Sequence, residues 1–262
     1  MKLSAIQMKV YSGDISANTS RMIQMVEKAA ASGADLVVFP EMTDTGYDMQ
    51  VILKTASTWN EGPVPCLRDA ASRYKVRIMA GVSERVGADV FNAVVTIDTS
   101  GEIVGSYRKT HLITAEPMLE HHFLKAGDKL GLVEVAGRKL GVITCYEIRF
   151  PEIARSLALL GAELIVIPAA WPLVRLPHWQ ALLVARAIEN QVFVAGVGRI
   201  GDDTGVPFAG TSMIIGPYGN VIASGTQIHE AIVSAELNFD DISLVRSQIK
   251  VYKDRRSDLY SM

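Results

Sequence analysis

Residues 139–152 read KLGVITCYEIRFPE. Leu140 to Ile143 is a short apolar run with two β-branched members, the length and composition of a buried strand. It stops at Thr144 and Cys145, after which Tyr146, Glu147 and Arg149 are polar or amphipathic. Pro151 opens PEIARSLALLG, with Pro at an early helical position and Gly161 at the end. The order is strand, turn, helix, and Cys145 sits at the turn. In open α/β sheets, ligands and reactive side chains collect at the carboxyl ends of strands, so a thiol placed there is a candidate nucleophile.

Working outward, this unit occurs twice. Gly33-Ala-Asp-Leu-Val-Val-Phe-Pro40 is echoed by Gly161-Ala-Glu-Leu-Ile-Val-Ile-Pro168, 128 positions later, and Lys2–Met8 by Lys139–Cys145. Each half continues into a strand–turn–strand: Phe91–Ile97, the turn at Thr99–Glu102 and Ile103–Tyr107 in the first; Ser212–Ile215, Gly216–Gly219 and Val221–Ala223 in the second. Helical periodicity covers Thr19–Ser32 and Leu67–Tyr74, and Ser12–Asn18 reads as a polar loop. Two related halves, each able to cover one side of a sheet with helices, predict an α/β fold: two sheets face to face with helices outside. The expected division is one domain over residues 1–236, then a helix at Asp240–Lys250 and a charged tail. That tail is too poor in apolar residues for a core of its own, so it is expected against another surface, such as a subunit interface.

At 262 residues and 49% hydrophobic, the chain can bury a sizeable core. A net charge of −2, with both signs mixed along the chain, gives no electrostatic case for nucleic acid or an anionic membrane. MKLSAIQMKV lacks the plan of a signal peptide, and no apolar run approaches the roughly 20 residues of a membrane span. The expectation is a cytoplasmic protein. The two cysteines, Cys66 and Cys145, make no disulfide framework, and Cys66 reads as a half-buried structural thiol before a helix. The five histidines lack metal-ligand spacing, so no metal and no cofactor are expected.

Glu41, Lys109 and Cys145 share one description: each comes just after a short apolar strand. If those strands are neighbours or face each other, the three side chains emerge at one rim. A thiol mostly protonated near pH 7 needs a base, which a carboxylate in a partly dry pocket can be. An ammonium beside them would stabilise the oxyanion of a tetrahedral intermediate. The set is sufficient for acyl transfer without histidine. Taken singly, each residue has a plainer reading: a free Cys is commonly a small buried hydrophobe, and a lone Glu or Lys a solvated charge.

FPEM at 39–42 followed by Thr45-Gly-Tyr47, YRKTHL at 107–112 and CYEIRFPE at 145–152 resemble the nitrilase superfamily, the carbon–nitrogen hydrolases. The resemblance runs through nearly the whole chain, to RRSDLY at 255–260. It implies a four-layer αββα sandwich and a homodimer or higher homo-oligomer. It implies Cys145 as nucleophile, Glu41 as general base, Lys109 and the backbone N–H of Tyr146 as oxyanion donors, and Glu120 as a second glutamate. EHHFLKAG at 120–127 carries Ala126-Gly127 where many relatives have Pro-Gly.

The implied reaction is attack of Cys145 on an amide or nitrile carbon, loss of ammonia, and hydrolysis of a thioester. EHHFLKAG, residues 169–196 and the closing RRSDLY are most similar to bacterial ω-amidases, which act on 2-oxoglutaramate or 2-oxosuccinamate. Arg175 or His178 could bind the carboxylate of such a small amide, and Tyr47, Phe150 and Trp171 could shape the pocket. Arg149 could contact substrate or pair with Glu147 or Glu152. Arg186 and Glu189, three apart on a helix, are expected to pair, and His111 to orient the Lys109 loop. Alternatives are N-carbamoyl hydrolysis, a nitrilase proper, and a catalytically idle binding protein on the same fold. A thiol redox sensor would need a resolving cysteine that Cys66, in an unrelated turn, does not offer.

Overall fold

The computed structural model describes residues 1–116, 118–203 and 205–260. The first half runs β1 (Lys2–Gln7), α1 (Ile15–Ala31), β2 (Leu36–Val38), α2 (Met49–Thr55), α3 (Pro63–Tyr74), β3 (Arg77–Val86), β4 (Asp89–Ile97) and β5 (Ile103–Arg108). The second runs β6 (Gly131–Val135), β7 (Arg138–Val142), α4 (Pro151–Leu159), β8 (Leu164–Ala169), α5 (Leu176–Asn190) and β9 (Phe193–Gly198). It continues with the short pair β10 (Asp202–Asp203) and β11 (Val206–Pro207), then β12 (Met213–Ile215) and β13 (Val221–Ser224). β14 (Ala231–Glu236), α6 (Asp240–Gln248) and α7 (Val251–Asp254) close the chain.

Two six-stranded sheets form, ordered β14-β1-β2-β3-β4-β5 and β13-β12-β9-β8-β7-β6. Reversing the second shows the repeat: β6-β7-β8-β9-β12-β13 matches β14-β1-β2-β3-β4-β5 place for place. β14, from the far end of the chain, fills beside β1 the place that β6 fills beside β7, both antiparallel. In β2, Leu36 and Val38 join the cluster between the sheets, while Val37 and Phe39 meet Met22, Val26 and Leu67 of the outer helices. In β8, Leu164 and Val166 face the other sheet, and Ile165 and Ile167 meet α4 and α5. Period-2 alternation of apolar side chains on both faces is what a sheet buried on both sides requires. Each such fully buried Val, Leu or Ile contributes roughly 1.5–3 kcal/mol. The result is the four-layer αββα sandwich.

Several local expectations shift. α1 starts at Ile15, ahead of the expected Thr19, because Asp14 caps it by accepting from Ala17 N at 3.0 Å. Its polar first turns are not a loop: Asn18 is buried and donates to Tyr11 O (2.7 Å) and Asp44 O (2.8 Å). α3 starts at Pro63, Pro being suited to a first helical turn, so Cys66 lies on the helix and is exposed, not half-buried. Leu237, Phe239 and Ile242 plug the inter-sheet cluster, with Phe239 edge-on to Phe193 at 5.5 Å. Tyr252 packs on the α4–α5 cluster and donates to Asn190 O. Residues 237–252 therefore dock on their own chain, and the end of the tail, with Leu259 and Tyr260, is exposed. Among the described residues no helix is long and apolar enough to cross a membrane.

Candidate active site

Three strand ends and one short turn bring four side chains together. Glu41 follows β2 by way of Phe39 and Pro40, and Gly81 of β3 backs it closely: a Cβ there would lie 2.2 Å from Pro40 O and 2.8 Å from Glu41 Cα. Lys109 follows β5, its N–H donating to Asn92 O and its carbonyl accepting from Gly127 N, each at 2.8 Å. Cys145 begins a single 3₁₀ turn, Cys145–Arg149, just past β7. Glu120 begins another, Glu120–His122. Three positive φ angles mark the site: 50° at Met42 after Glu41, 43° at Leu119 before Glu120, and 48° at Cys145 itself. Left-handed backbone at non-glycine residues is costly and clusters where geometry serves chemistry.

All four side chains are buried, and Glu41, Lys109 and Glu120 have no exposed surface at all. Lys109 Nζ donates to Glu41 Oε1 at 3.0 Å and to Glu120 Oε1 at 2.9 Å. Asn92 Nδ2 donates to the same two oxygens, at 2.7 and 3.3 Å. Glu41 Oε2 accepts from Ala170 N at 2.8 Å, a bond from the end of β8 in the other sheet. Glu120 accepts from Tyr47 Oη (2.6 Å) and Ile113 N (2.8 Å).

Burial works against the Lys109 ammonium, but Glu120 and Glu41 outweigh it and hold the group charged well above the ordinary lysine range. Burial, then the Glu41 charge, push the Cys145 thiol well up, with Lys109 opposing. The resting nucleophile is thus a thiol, under the charge of the carboxylate that can take its proton. Burial, then Glu120 and Glu41, likewise raise Tyr47, which stays a phenol donor.

Cys145 opens on a cavity of about 320 Å³, also lined by Tyr47, Tyr146, Trp171, Arg149, Arg175 and His178. Arg149 lies over the Trp171 ring at 4.8 Å and within 3.5 Å of His178 Nδ1. Burial, then Arg175, lower its pKa. Among the described residues it has no carboxylate within ion-pair distance, so of the two readings, substrate contact or a pair with Glu147 or Glu152, the pair does not form. Phe150 is not among the lining residues: it packs on His111 with ring centroids 4.3 Å apart and meets Tyr146 edge-on at 5.3 Å, behind the pocket wall. Tyr146 is the second residue of its turn, where backbone N–H groups have no partner within the helix. Arg186 pairs with Glu189 at 2.8 Å and also donates to Ile148 O at 2.8 and 3.0 Å, tying α5 to the Cys145 turn. Among the described residues, no group of three or more His, Cys, Asp or Glu side chains is arranged to hold a metal ion.

Sequence reasoning missed Asn92, Glu147 and the Arg199–Asp203 pair. Asn92 is a buried polar residue in a mostly apolar strand, a signal that periodicity alone does not interpret. Asp203 accepts from Tyr47 N at 2.7 Å across 156 positions of sequence, with Arg199 buried against it, and nothing local marks that contact.

The model of the carbon-nitrogen hydrolase family matches residues 2–247. The chain is 40% identical over 259 residues to a 2-oxoglutaramate amidase of Bacillus subtilis, covering 98% of each chain. It is 34% identical over 274 residues to the 2-oxoglutaramate amidase of Paenarthrobacter nicotinovorans, covering 100% of this chain and 91% of that one. The crystal structure of Saccharomyces cerevisiae Nit3, a member of branch 10 of the nitrilase superfamily, superposes with a TM-score of 0.90 at 27% identity, covering 98% of this chain and 96% of that one. With matched sheets, a buried cysteine beside a carboxylate and an ammonium, and these relatives, the chain belongs to the carbon–nitrogen hydrolase family.

Proposed function

We propose that this hydrolase releases ammonia from a small amide that also carries a carboxylate, 2-oxoglutaramate or 2-oxosuccinamate, through a thioester on Cys145. The observation that carries the reading is one cavity holding Cys145 together with the Arg149 and Arg175 guanidinium groups and the His178 imidazole, donors to which a substrate carboxylate can bind. The names of the relatives above point to the same class.

Glu41 takes the thiol proton as sulfur attacks the amide carbon. The oxyanion is met by Lys109 Nζ and Tyr146 N–H, and Glu41 passes the proton to the departing ammonia. Water then gives a proton to Glu41 and attacks the thioester through a second oxyanion at the same donors, and the thiol recovers its proton as the acid leaves. One donor to such an oxyanion is worth ~3 kcal/mol or more. Glu120, bonded to Lys109, Tyr47 and Asn92, keeps the ammonium aimed between the two carboxylates. Tyr47, Tyr146 and Trp171 form the walls around the acyl chain.

The reading extends to a cytoplasmic homodimer. Free Cys66 and Cys145 suit a reducing compartment, and exposed Leu160, Ile188, Leu244, Ile249 and Leu259 give the α4–α5 side and the C-terminal segment an apolar face for a second copy. The test is ammonia release from a panel of small amides by wild type and Cys145→Ala. Turnover is expected for 2-oxo-dicarboxylic acid monoamides and not for the variant; a preference for neutral amides would remove the carboxylate reading.

A further inference from the structure

Glu147 is a fully buried carboxylate two residues past the nucleophile, and none of the steps above uses it. Its Oε1 accepts from Thr110 N (2.8 Å), Thr110 Oγ1 (2.7 Å) and His111 N (3.1 Å), the residues directly after Lys109. Its Oε2 accepts from Thr144 N at 2.7 Å, the residue directly before Cys145. Tyr107 Oη, from the last turn of strand before Lys109, lies 2.7 Å from both oxygens. The two oxyanion donors come from distant parts of the chain, Lys109 after β5 of one sheet and Tyr146 after β7 of the other. One carboxylate fastens their flanking residues to each other.

From this geometry we infer that Glu147 is a positioning residue for the hydrolysis: it sets the spacing between Lys109 Nζ and Tyr146 N–H so that both meet one oxyanion. The inference rests on the oxyanion roles proposed above. A carboxylate is needed because every partner is a donor and both oxygens must accept. A glutamine of the same shape would aim its NH₂ either at Thr144 N–H or at the N–H groups of Thr110 and His111, forcing one segment away. A displacement near 1 Å at such a site costs roughly 10²-fold in rate.

The test uses Glu147→Gln in a Cys66→Ser background, so that Cys145 is the one thiol. Turnover of 2-oxoglutaramate is compared with labelling of Cys145 by methyl methanethiosulfonate, which reacts at sulfur and forms no oxyanion. The expected result is kcat lower by about 10²-fold, with KM and the labelling rate within about threefold of wild type. Equal loss of turnover and labelling assigns Glu147 to the fold alone and overturns the proposal, as does unchanged kcat. Should Glu147→Gln fold poorly, Thr110→Val and Tyr107→Phe each remove one donor; kcat is expected to fall about 3- to 10-fold with labelling unchanged, and unaltered kcat in both overturns the proposal. Lys109→Met separates the two layers of inference. If it keeps turnover, the oxyanion reading fails and the proposal with it; if it is inactive while Glu147→Gln is active, the proposal alone fails.

Discussion

Replacing Lys109 by Met keeps the length of the side chain and removes the charge that lies 3.0 Å from Glu41 and 2.9 Å from Glu120. All three groups are without solvent exposure, so water cannot replace the ammonium. Breaking a buried pair by removing one partner costs about 3–5 kcal/mol, because it strands the other charge. Here it strands two carboxylates, partly relieved by Asn92 and Tyr47, which still donate to them. For catalysis, loss of one oxyanion donor predicts kcat lower by roughly 10²- to 10³-fold. Denaturant melts and an ammonia-release assay read both effects. A Lys109→Met enzyme within about threefold of wild-type kcat would refute the reasoning, because no other buried cation lies between these carboxylates among the described residues.

Glu41→Gln removes the acceptor of the thiol proton; kcat is expected to fall by 10²-fold or more, and Cys145 alkylation to slow with it, as quantified by mass spectrometry against time. Arg149→Ala is expected to raise KM for a carboxylate-bearing amide by roughly tenfold while leaving KM for a neutral amide within about twofold, read from paired steady-state kinetics. Asp44, whose carboxylate accepts from Ser83 N and Oγ, is pushed by burial from 3.8 up to about 6. A carboxyl with a folded pKa above its unfolded one loses stability as pH rises between the two. The unfolding free energy of Asp44→Asn minus that of wild type should therefore rise by about 2 kcal/mol from about pH 4 to about pH 7, measured by urea unfolding.

The layers were legible because both sheets repeat one apolar pattern, with Pro40 and Pro168 at matching places near the ends of equivalent strands. Glu41, Lys109 and Cys145 were legible for a related reason: a polar or nucleophilic group just past an apolar strand sits where sheet ends open to a ligand. Glu120 carries no such mark; it lies on a one-turn 3₁₀ helix, and the resemblance to a family singled it out rather than its surroundings. Asn92 and Glu147 were not legible, because their meaning is tertiary. Asn92 reaches Glu41 across 51 positions, and Glu147 reaches Thr110 across 37. β14 was missed because its partner, β1, is at the other end of the chain, and pairing over that separation leaves no local signature.

The account stands or falls on a covalent acyl group at Cys145. Acid quench within the first turnovers on 2-oxoglutaramate, followed by peptide mass analysis, reads it directly. The prediction is a mass on the Cys145 peptide equal to the substrate acyl group without its ammonia, appearing before steady state and absent from Cys145→Ala. Ammonia release with no such adduct, or with undiminished rate in Cys145→Ala, would contradict it.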